Sequence, residues 1–186
     1  MMVKRLILLS LVVLSGCATS SDRLAMIPLD SNMTLTPLVD SVMVKRVSLP
    51  TYAAVEEVAF ERTEGLIASN PVVLWADDPQ RAVTLALTRN LSDILNNQVG
   101  PEPWPLAGLP AVSIDVRVER ILAGIDGHFH LAGQVYIAGE GIDFPNASQQ
   151  FNIAAPLVDQ SLANIANAQA QALLSLSELI AQKLGR

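Results

Sequence analysis

The sequence contains a single cysteine, Cys17, and two histidines. One cysteine cannot form a disulfide bond within the chain, and it cannot supply the several thiolates of a cysteine-based metal site. The fold must therefore be stabilised by an apolar core, and 51% of the residues are hydrophobic. The chain is long enough to bury such a core within one domain.

Basic residues are also scarce. The chain has 12 lysines and arginines against 18 aspartates and glutamates, which gives a formal net charge of −6. The basic residues are scattered, with no cluster that could bind phosphates or anionic lipid headgroups. This composition argues against nucleic acid as a partner. Any attachment to a membrane then depends on a lipid or an apolar segment.

Long hydrophobic runs are absent as well. The most apolar segment, residues 6–14, follows Lys4 and Arg5 and has nine residues. A helix that crosses a bilayer needs about 20 apolar residues, so this segment is too short to span one. It has instead the parts of a secretion signal: a basic start, a short apolar stretch, and small Ser15 and Gly16 before a cleavage site.

The residue after this site is Cys17, which makes the site that of a bacterial lipoprotein. Its thiol can form a diacylglyceryl thioether, and the amine freed by cleavage can be acylated. Several acyl chains hold a protein firmly to a bilayer, because each buried methylene contributes about 0.8 kcal/mol. We therefore predict that the signal peptide, residues 1–16, is removed and that the covalent lipid on Cys17 is the protein's only cofactor-like group.

Cleavage would remove Lys4 and Arg5, leaving 10 basic side chains against 18 acidic ones and a formal charge of −8. Bacterial lipoproteins kept at the inner membrane commonly carry aspartate after the acylated cysteine, whereas this chain has Ala18 and Thr19. We therefore expect the protein to be attached by its lipid to the periplasmic face of the outer membrane.

The mature chain is expected to have two parts. Residues 17–40 are rich in Ser, Thr, Asp, Pro and Met without a sustained hydrophobic period, which predicts a lipidated tether. Residues 41–186 are expected to form a single domain. Within it, short strands are predicted at 42–49, 58–62 and 66–69, and an edge strand at 149–154.

Two helices are predicted in this domain. Asp78 followed by Pro79 is a helix start, and apolar residues then recur at helical spacing until Asn96. A second helix is predicted to begin at Asp159 and to end before Gly185. The order of elements predicts an α+β fold in which two main helices pack on a mostly antiparallel sheet.

The clearest strand spans residues 111–123, where apolar and polar residues alternate. Asp126 and Gly127 predict a two-residue type I′ turn that leads into a returning strand. This turn would place Val118 opposite Val135, with a bulge near Arg120 where the pattern matches poorly. One antiparallel hairpin is therefore expected.

Aromatic residues make up 4% of the chain. Tyr52, Trp75 and Trp104 each lie beside a proline or at the boundary of a predicted element. Such a side chain either packs a loop onto the core, which is the commoner outcome, or binds a partner. We retain these three residues as candidates for a partner-binding surface.

No set of residues has the pattern of a catalytic or metal site. His128 and His130 share a face of a strand near Asp126, but a metal needs further ligands and the chain has no other histidine. The histidines lack a nucleophile motif. The adjacent carboxylates of Glu56-Glu57 and of Asp77-Asp78 would point apart in extended backbone. We therefore expect no enzymatic activity and no bound metal.

The second predicted helix carries no charged residue from Gln160 to Ser177, although it contains several amides. A solvated helix face usually carries lysine, glutamate or arginine, so a neutral face favours contact with protein. We predict that Asn167 and Gln171 lie in an interface with a second copy of the chain or with a partner. A solvated face of low charge is the alternative.

Several short motifs occur in a distinctive order after the lipidation site. They are Leu49-Pro50-x-Tyr52, Trp75-Ala76 before a capped helix, Pro103-Trp104 after it, Ile114-Asp115-Val116-x-Val118, and Leu176-Ser177-Glu178-Leu179-Ile180-Ala181. In this order, across residues 42–184, the chain resembles the PqiC-type family. These proteins are auxiliary lipoproteins of ABC-type transport systems that accompany mammalian-cell-entry (MCE) domain proteins.

The resemblance implies a role rather than a reaction. It implies a lipoprotein that docks the periplasmic end of an MCE-protein conduit and so helps lipids move between membranes. The family's usual Tyr-Thr-Leu segment after the acylated cysteine is absent, and residues 24–29 stand in its place. A periplasmic lipoprotein that binds lipid or a small molecule between helices and sheet is the alternative.

Replacing Cys17 by serine is expected to release the protein from the membrane, because a hydroxyl cannot form the thioether on which lipoprotein processing depends. Fractionation of cells that express the full chain, with and without detergent, measures the retained fraction. Recovery of a cleaved Cys17→Ser protein in the detergent-dependent membrane fraction would contradict the lipoprotein prediction.

Overall fold

Eight strands and two helices make up the part of the chain that the computed structural model describes, residues 22–141 and 144–186. The strands form one mixed sheet, and both helices pack against it. This arrangement confirms the α+β class predicted from the sequence. The predicted signal peptide, residues 1–16, and Cys17 lie outside the described residues.

The three longest strand pairings are antiparallel, whereas the short strands at the start of the chain pair in parallel. The strands are β1 (Asp22–Leu24), β2 (Ser41–Val44), β3 (Glu57–Thr63), β4 (Leu66–Trp75), β5 (Gln98–Pro101), β6 (Val112–Ala123), β7 (His128–Gly139) and β8 (Ala147–Pro156). The helices are α1 (Pro79–Leu95) and α2 (Leu162–Leu184).

Strand β6 is the centre of the sheet, and its two edges are used differently. One edge pairs with β7 along the whole strand. The other is shared: β2 pairs with its first residues, Ser48 bridges to Arg117 in the middle, and β3 pairs at Ala123. The strand predicted at 42–49 is thus interrupted after Val44, and the sheet forks along one edge of β6.

The fork gives the sheet two arms at opposite ends of β6. Strand β5 continues the sheet beyond β2, whereas β4 and β1 continue it beyond β3. The arm that contains β2 pairs with β6 as far as Ile114, and the arm that contains β3 pairs with it at Ala123. At about 3.3 Å per residue, these positions are roughly 30 Å apart. The arms therefore present separate surfaces.

The β6–β7 hairpin is present, but its turn and register differ from those predicted. Gly124 N donates to the His128 carbonyl oxygen (2.8 Å), so the loop has three residues, of which only Gly127 has a positive φ (78°). A type I′ turn needs positive φ at two residues, whereas a three-residue loop needs it at one glycine. The longer loop and the bulge each shift the register by one residue, so Val118 faces Gly133 and the predicted pairing with Val135 is wrong.

The bulge predicted near Arg120 is confirmed, because the pairing shifts by one residue between Val118 and Arg120. The bulge also changes which positions face the core. The inward residues are even-numbered up to Val118, and Ile121 and Ala123 then take their place. Glu119 and Arg120 are both exposed. Strand β6 can therefore keep apolar residues inward on both sides of the bulge.

Helix α1 begins as the sequence predicts. The Asp78 side chain accepts a hydrogen bond from Arg81 N (2.7 Å), Pro79 is the first helical residue, and Asn96 ends the helix with a left-handed φ of 44°. Left-handed backbone is common at helix ends, and asparagine tolerates it better than most residues.

The start of α2 differs from the prediction. The N-cap is Ser161, whose hydroxyl accepts from Asn164 N (3.4 Å), and not Asp159. Asp159 instead accepts hydrogen bonds from Ser161 N and from the Asn164 amide, both at 2.8 Å. It therefore fixes the turn before the helix.

The two helices lie side by side and run in the same direction. Pro79 and Ile165, near the helix starts, line one small cavity, and Leu95 lies close to Gly185 at the opposite end. Between them, the buried Asn90 side chain donates to the Ser177 hydroxyl (3.2 Å). The helix pair therefore leaves a continuous groove on its outer side.

Residues 24–37, which we call the N-terminal strap, run along this helix pair. Partly buried residues such as Met33 and Leu35 alternate with exposed ones. Ser31 donates to Glu178 (2.6 Å), Leu35 N to the Ile94 carbonyl oxygen (2.8 Å), and Thr36 pairs with Arg186. The tether predicted for residues 17–40 is therefore wrong for its described part, because alternate apolar residues pack against the helices.

Gly185→Ala is expected to loosen the strap. The backbone at Gly185 has a φ of −146°, which any residue adopts, but a Cβ there would lie 2.8 Å from the Leu35 Cβ and 3.1 Å from the Thr36 oxygen. Overpacking of this kind costs about 1–3 kcal/mol. Hydrogen exchange at residues 31–38 should become faster in the variant. Unchanged exchange would contradict the prediction and show that Leu35 and Thr36 accommodate the added methyl group without loosening the strap.

Candidate functional site

The five residues predicted to bind a partner do not form one site. Tyr52 lies in the fork of the sheet, Trp75 ends β4 beside β1, and Trp104 lies in the loop after β5. Asn167 and Gln171 are on the exposed side of α2. The five candidates therefore lie in four separate places.

Tyr52 lies in a short 3₁₀ turn, Thr51–Ala53, and is half-buried. Its hydroxyl accepts a hydrogen bond from Ile121 N (3.0 Å), the amide that follows the bulge of β6. Burial raises the pKa of the Tyr52 phenol, and the Ile121 N–H opposes this change in part. The hydroxyl thus satisfies a backbone amide at the fork, where neither β2 nor β3 can reach.

Trp75 is held by backbone contacts at the β1–β4 corner. Its N–H donates to the Glu56 carbonyl oxygen (2.6 Å), and its carbonyl oxygen accepts from Arg23 (3.0 Å). The half-buried indole lines an apolar groove of about 250 Å³ between the start of the strap and α1. Leu24 and Leu85 line the same groove.

Trp104 belongs to an exposed loop, Glu102–Leu109, which we call the Trp104 loop. The ring packs over β5, where a Cβ on Gly100 would lie 3.0 Å from it. The indole N–H is buried and has no hydrogen-bond partner within the described ranges. Leu106 and Leu109 are 46% and 82% exposed. The loop therefore presents apolar side chains to solvent. Its prolines and glycines predict a loop, but they do not predict that these leucines are exposed.

The exposed side of α2 carries the neutral amides in part as predicted. Asn167 and Gln171 are exposed, whereas Gln169 is buried and faces the core. Helix α2 packs over β7 and β8, so its exposed side lies near the β8 edge of the sheet. The contact prediction for Asn167 and Gln171 thus concerns this edge.

The two histidines share an acidic partner. His130 Nε2 lies 3.0 Å from both Asp126 carboxylate oxygens, and His128 Nδ1 lies 3.1 Å from the Asp126 carbonyl oxygen. The hydrogen bond with His130 is the main cause that lowers the pKa of Asp126 below its ordinary value. Across residues 22–141 and 144–186, no three carboxylate, imidazole or thiol groups lie close enough to share a metal ion.

The space between helices and sheet is small. The cavity lined by Val83 and Ile165 of the helices and by Ile121 and Phe129 of the sheet has a volume of about 20 Å³. This is room for about one water molecule, whereas sites for small ligands occupy roughly 300–1,000 Å³. In the described part of the chain, no helix is both long and apolar enough to cross a bilayer.

Tyr52→Phe is expected to destabilise the fold by about 1–3 kcal/mol, because it leaves the part-buried Ile121 N–H without an acceptor. Tyr136→Phe is the matched control: the Tyr136 hydroxyl bonds only to the nearby Gln134 side chain. Urea unfolding of both variants measures the difference. Equal stability of the two variants would mean that the Ile121 hydrogen bond contributes little.

Comparisons with known proteins agree with this architecture. An uncharacterized protein of known structure is 19% identical, with a TM-score of 0.70, and the match covers 87% of this chain and 99% of that one. A Xanthomonas campestris protein of the family designated DUF330 is 17% identical, with a TM-score of 0.71 and coverage of 86% and 93%. At these identities the likeness concerns the fold. No curated protein matches the sequence.

A family model described as "ABC-type transport auxiliary lipoprotein component" matches residues 28–181. The match includes the strap from residue 28 and all of the sheet except β1. It identifies a component of a transport system and not a family of enzymes. The chain therefore belongs to the family of ABC-type transport auxiliary lipoprotein components.

Proposed function

We propose that this protein is held on the periplasmic face of the outer membrane by acylated Cys17 and docks the periplasmic end of an MCE-protein conduit. In this role it would help lipids move between the membranes and maintain the cell envelope. The family match and the lipoprotein signal in the sequence support the proposal. The ABC-type system would supply the energy, and this chain would hold and align the conduit.

A short connection would keep one corner of the domain close to the membrane. Asp22, the first residue of β1, is the fifth residue after Cys17. A fully extended chain spans at most about 3.6 Å per residue, so Asp22 would lie within about 18 Å of the acylated residue. The corner formed by β1 and Trp75 would therefore face the bilayer.

The opposite arm is then available for docking. The Trp104 loop follows β5, which lies in the arm at the other end of β6. Exposed apolar side chains such as Leu106 and Leu109 can bind a partner's apolar pocket. No charged residue follows Glu102 in this loop, so desolvation on docking costs little.

The size of the interior cavity favours docking over lipid carriage. A carrier would need room for at least one acyl chain between helices and sheet, and the cavity there has about 20 Å³. Lipid extraction from the purified protein followed by mass spectrometry separates the two functions. A docking component should carry less than stoichiometric lipid beyond its own acyl groups, whereas a carrier should retain one lipid per chain.

Substitution of Leu109 tests the docking surface. Burial of a leucine contributes about 1.5–3 kcal/mol, so Leu109→Asp should weaken pull-down of the MCE-domain protein by roughly 10- to 100-fold. Val158→Asp is the matched control, because Val158 is similarly exposed and lies in a different loop, between β8 and α2. Equal capture of the MCE protein by both variants would exclude the Trp104 loop as the docking surface.

A further inference from the structure

Exposed apolar side chains gather at the end of the sheet where β6 finishes. They belong to three neighbouring segments: the β3–β4 turn with the start of β4, the β6–β7 loop, and the β8–α2 loop. Between 38% and 88% of each of these residues is exposed. We call them the loop-tip cluster: Leu66, Ile67, Ile125 and Val158. Exposed apolar residues that gather in one place mark an interaction surface.

Two polar side chains hold these segments together. The Glu61 carboxylate accepts hydrogen bonds from Gly65 N in the turn (3.2 Å) and from Ile125 N in the β6–β7 loop (3.3 Å). The Gln160 amide, from the β8–α2 loop, donates to the carbonyl oxygens of Glu61 (3.3 Å) and Gly124 (3.4 Å). The loop-tip cluster is therefore arranged before any partner binds, which reduces the entropy lost on contact.

The N-terminus of β1 lies on the same side as the loop-tip cluster. Strand β1 runs parallel to β4, and Asp22, its first residue, pairs with Val73. Asp22 is therefore the end of β1 nearer to the cluster. Val73 is the sixth residue after Ile67 along β4, a distance of at most about 20 Å. Since Cys17 would lie within about 18 Å of Asp22, a membrane that holds its lipid is within reach of the cluster.

The charge around the loop-tip cluster suits zwitterionic lipid better than anionic lipid. Glu61 is paired with Arg120, whose Nη2 lies 3.5 Å from the carboxylate. The other charged residues in or next to the three segments are one base and three acids: Arg62, Glu64, Asp126 and Asp159. This small excess of negative charge is repelled by anionic headgroups and is tolerated by neutral ones.

We propose that the loop-tip cluster enters the interfacial layer of the bilayer that holds the Cys17 lipid, with zwitterionic phospholipid as its partner. The inference rests on the lipid attachment proposed above. Apolar side chains of proteins that lie on a membrane are buried about 5–10 Å into the boundary between headgroups and acyl chains. A lipid anchor alone leaves the domain free to rotate, whereas this second contact fixes its orientation. The Trp104 loop, in the arm at the other end of β6, then faces away from the membrane.

Spin labels on the loops test this contact. The native cysteine is the acylated residue, so an introduced cysteine supplies the thiol for labelling. Leu66→Cys and Ile125→Cys are made in the full chain, which is purified in detergent and reconstituted into phosphatidylcholine vesicles. Both labels should be accessible to oxygen dissolved in the lipid and protected from a water-soluble nickel chelate. Leu106→Cys, in the Trp104 loop, is the matched control, because Leu106 is similarly exposed and should stay in water.

The outcomes separate this contact from the lipid attachment. Protein that fails to float with the vesicles would overturn both. Floating protein in which the nickel chelate reaches the labels at Leu66 and Leu106 equally would overturn the membrane contact alone. Protection in native membranes but not in vesicles would indicate a protein on the cluster, and protection that requires phosphatidylglycerol would indicate anionic lipid. Either result would also overturn the proposal.

Removal of the apolar side chains gives a second test, with the label at Val158→Cys. Withdrawal of each leucine-sized side chain from lipid should lower the ratio of immersed to water-exposed label by about 10- to 100-fold. Leu66→Asp/Ile125→Asp should therefore move the Val158 label into water. Leu106→Asp/Leu109→Asp is the control and should leave that label immersed. Equal immersion of the label in the two double variants would refute insertion of the loop-tip cluster.

Discussion

The hydrogen bonds along one edge of β6 determine much of this structure. No single strand covers that edge, because β2 and β3 each pair with one end of it. Between them, Ser48 bonds to the backbone of Val116 and Val118, and the Tyr52 hydroxyl accepts from Ile121 N after the bulge. Gly133 opposite the bulge is part of the same solution, since a Cβ there would collide with the Arg117 carbonyl oxygen. The fork in turn separates the two arms of the domain by most of the length of β6.

The N-terminal strap links β1 to the C-terminal end of the helix pair. It begins at β1 in one arm and ends beside the C-termini of both helices, so it packs along the whole helix pair. In the proposed lipoprotein, a pull on the acylated N-terminus would act first on the parallel pairing of β1 with β4, which joins three pairs of residues, and then on the packed strap. A component of a transport system that must hold its position benefits from a connection built into the fold, because a flexible tether would let the domain move freely.

The parts of the fold that the sequence predicts are those with local signals. Asp78-Pro79 and the regular spacing after it predict α1, and the alternation along 111–123 predicts β6. The packing of the strap was not predicted from sequence. Its apolar residues fit a groove between two helices that are distant in the sequence, and they do not follow a sustained helix or strand period. The predicted hairpin register was wrong because one more loop residue shifts every pairing and the bulge shifts those beyond it once more. Tyr52 could not be assigned to Ile121 from sequence, since 69 residues separate them.

The distribution of charge bears on the docking proposal. Acidic side chains outnumber basic ones by 18 to 12, so another acidic protein is repelled at long range unless salt screens the charges. Close approach is then favourable only where the facing surface is neutral. The Trp104 loop meets this condition, because no charged residue follows Glu102 in it.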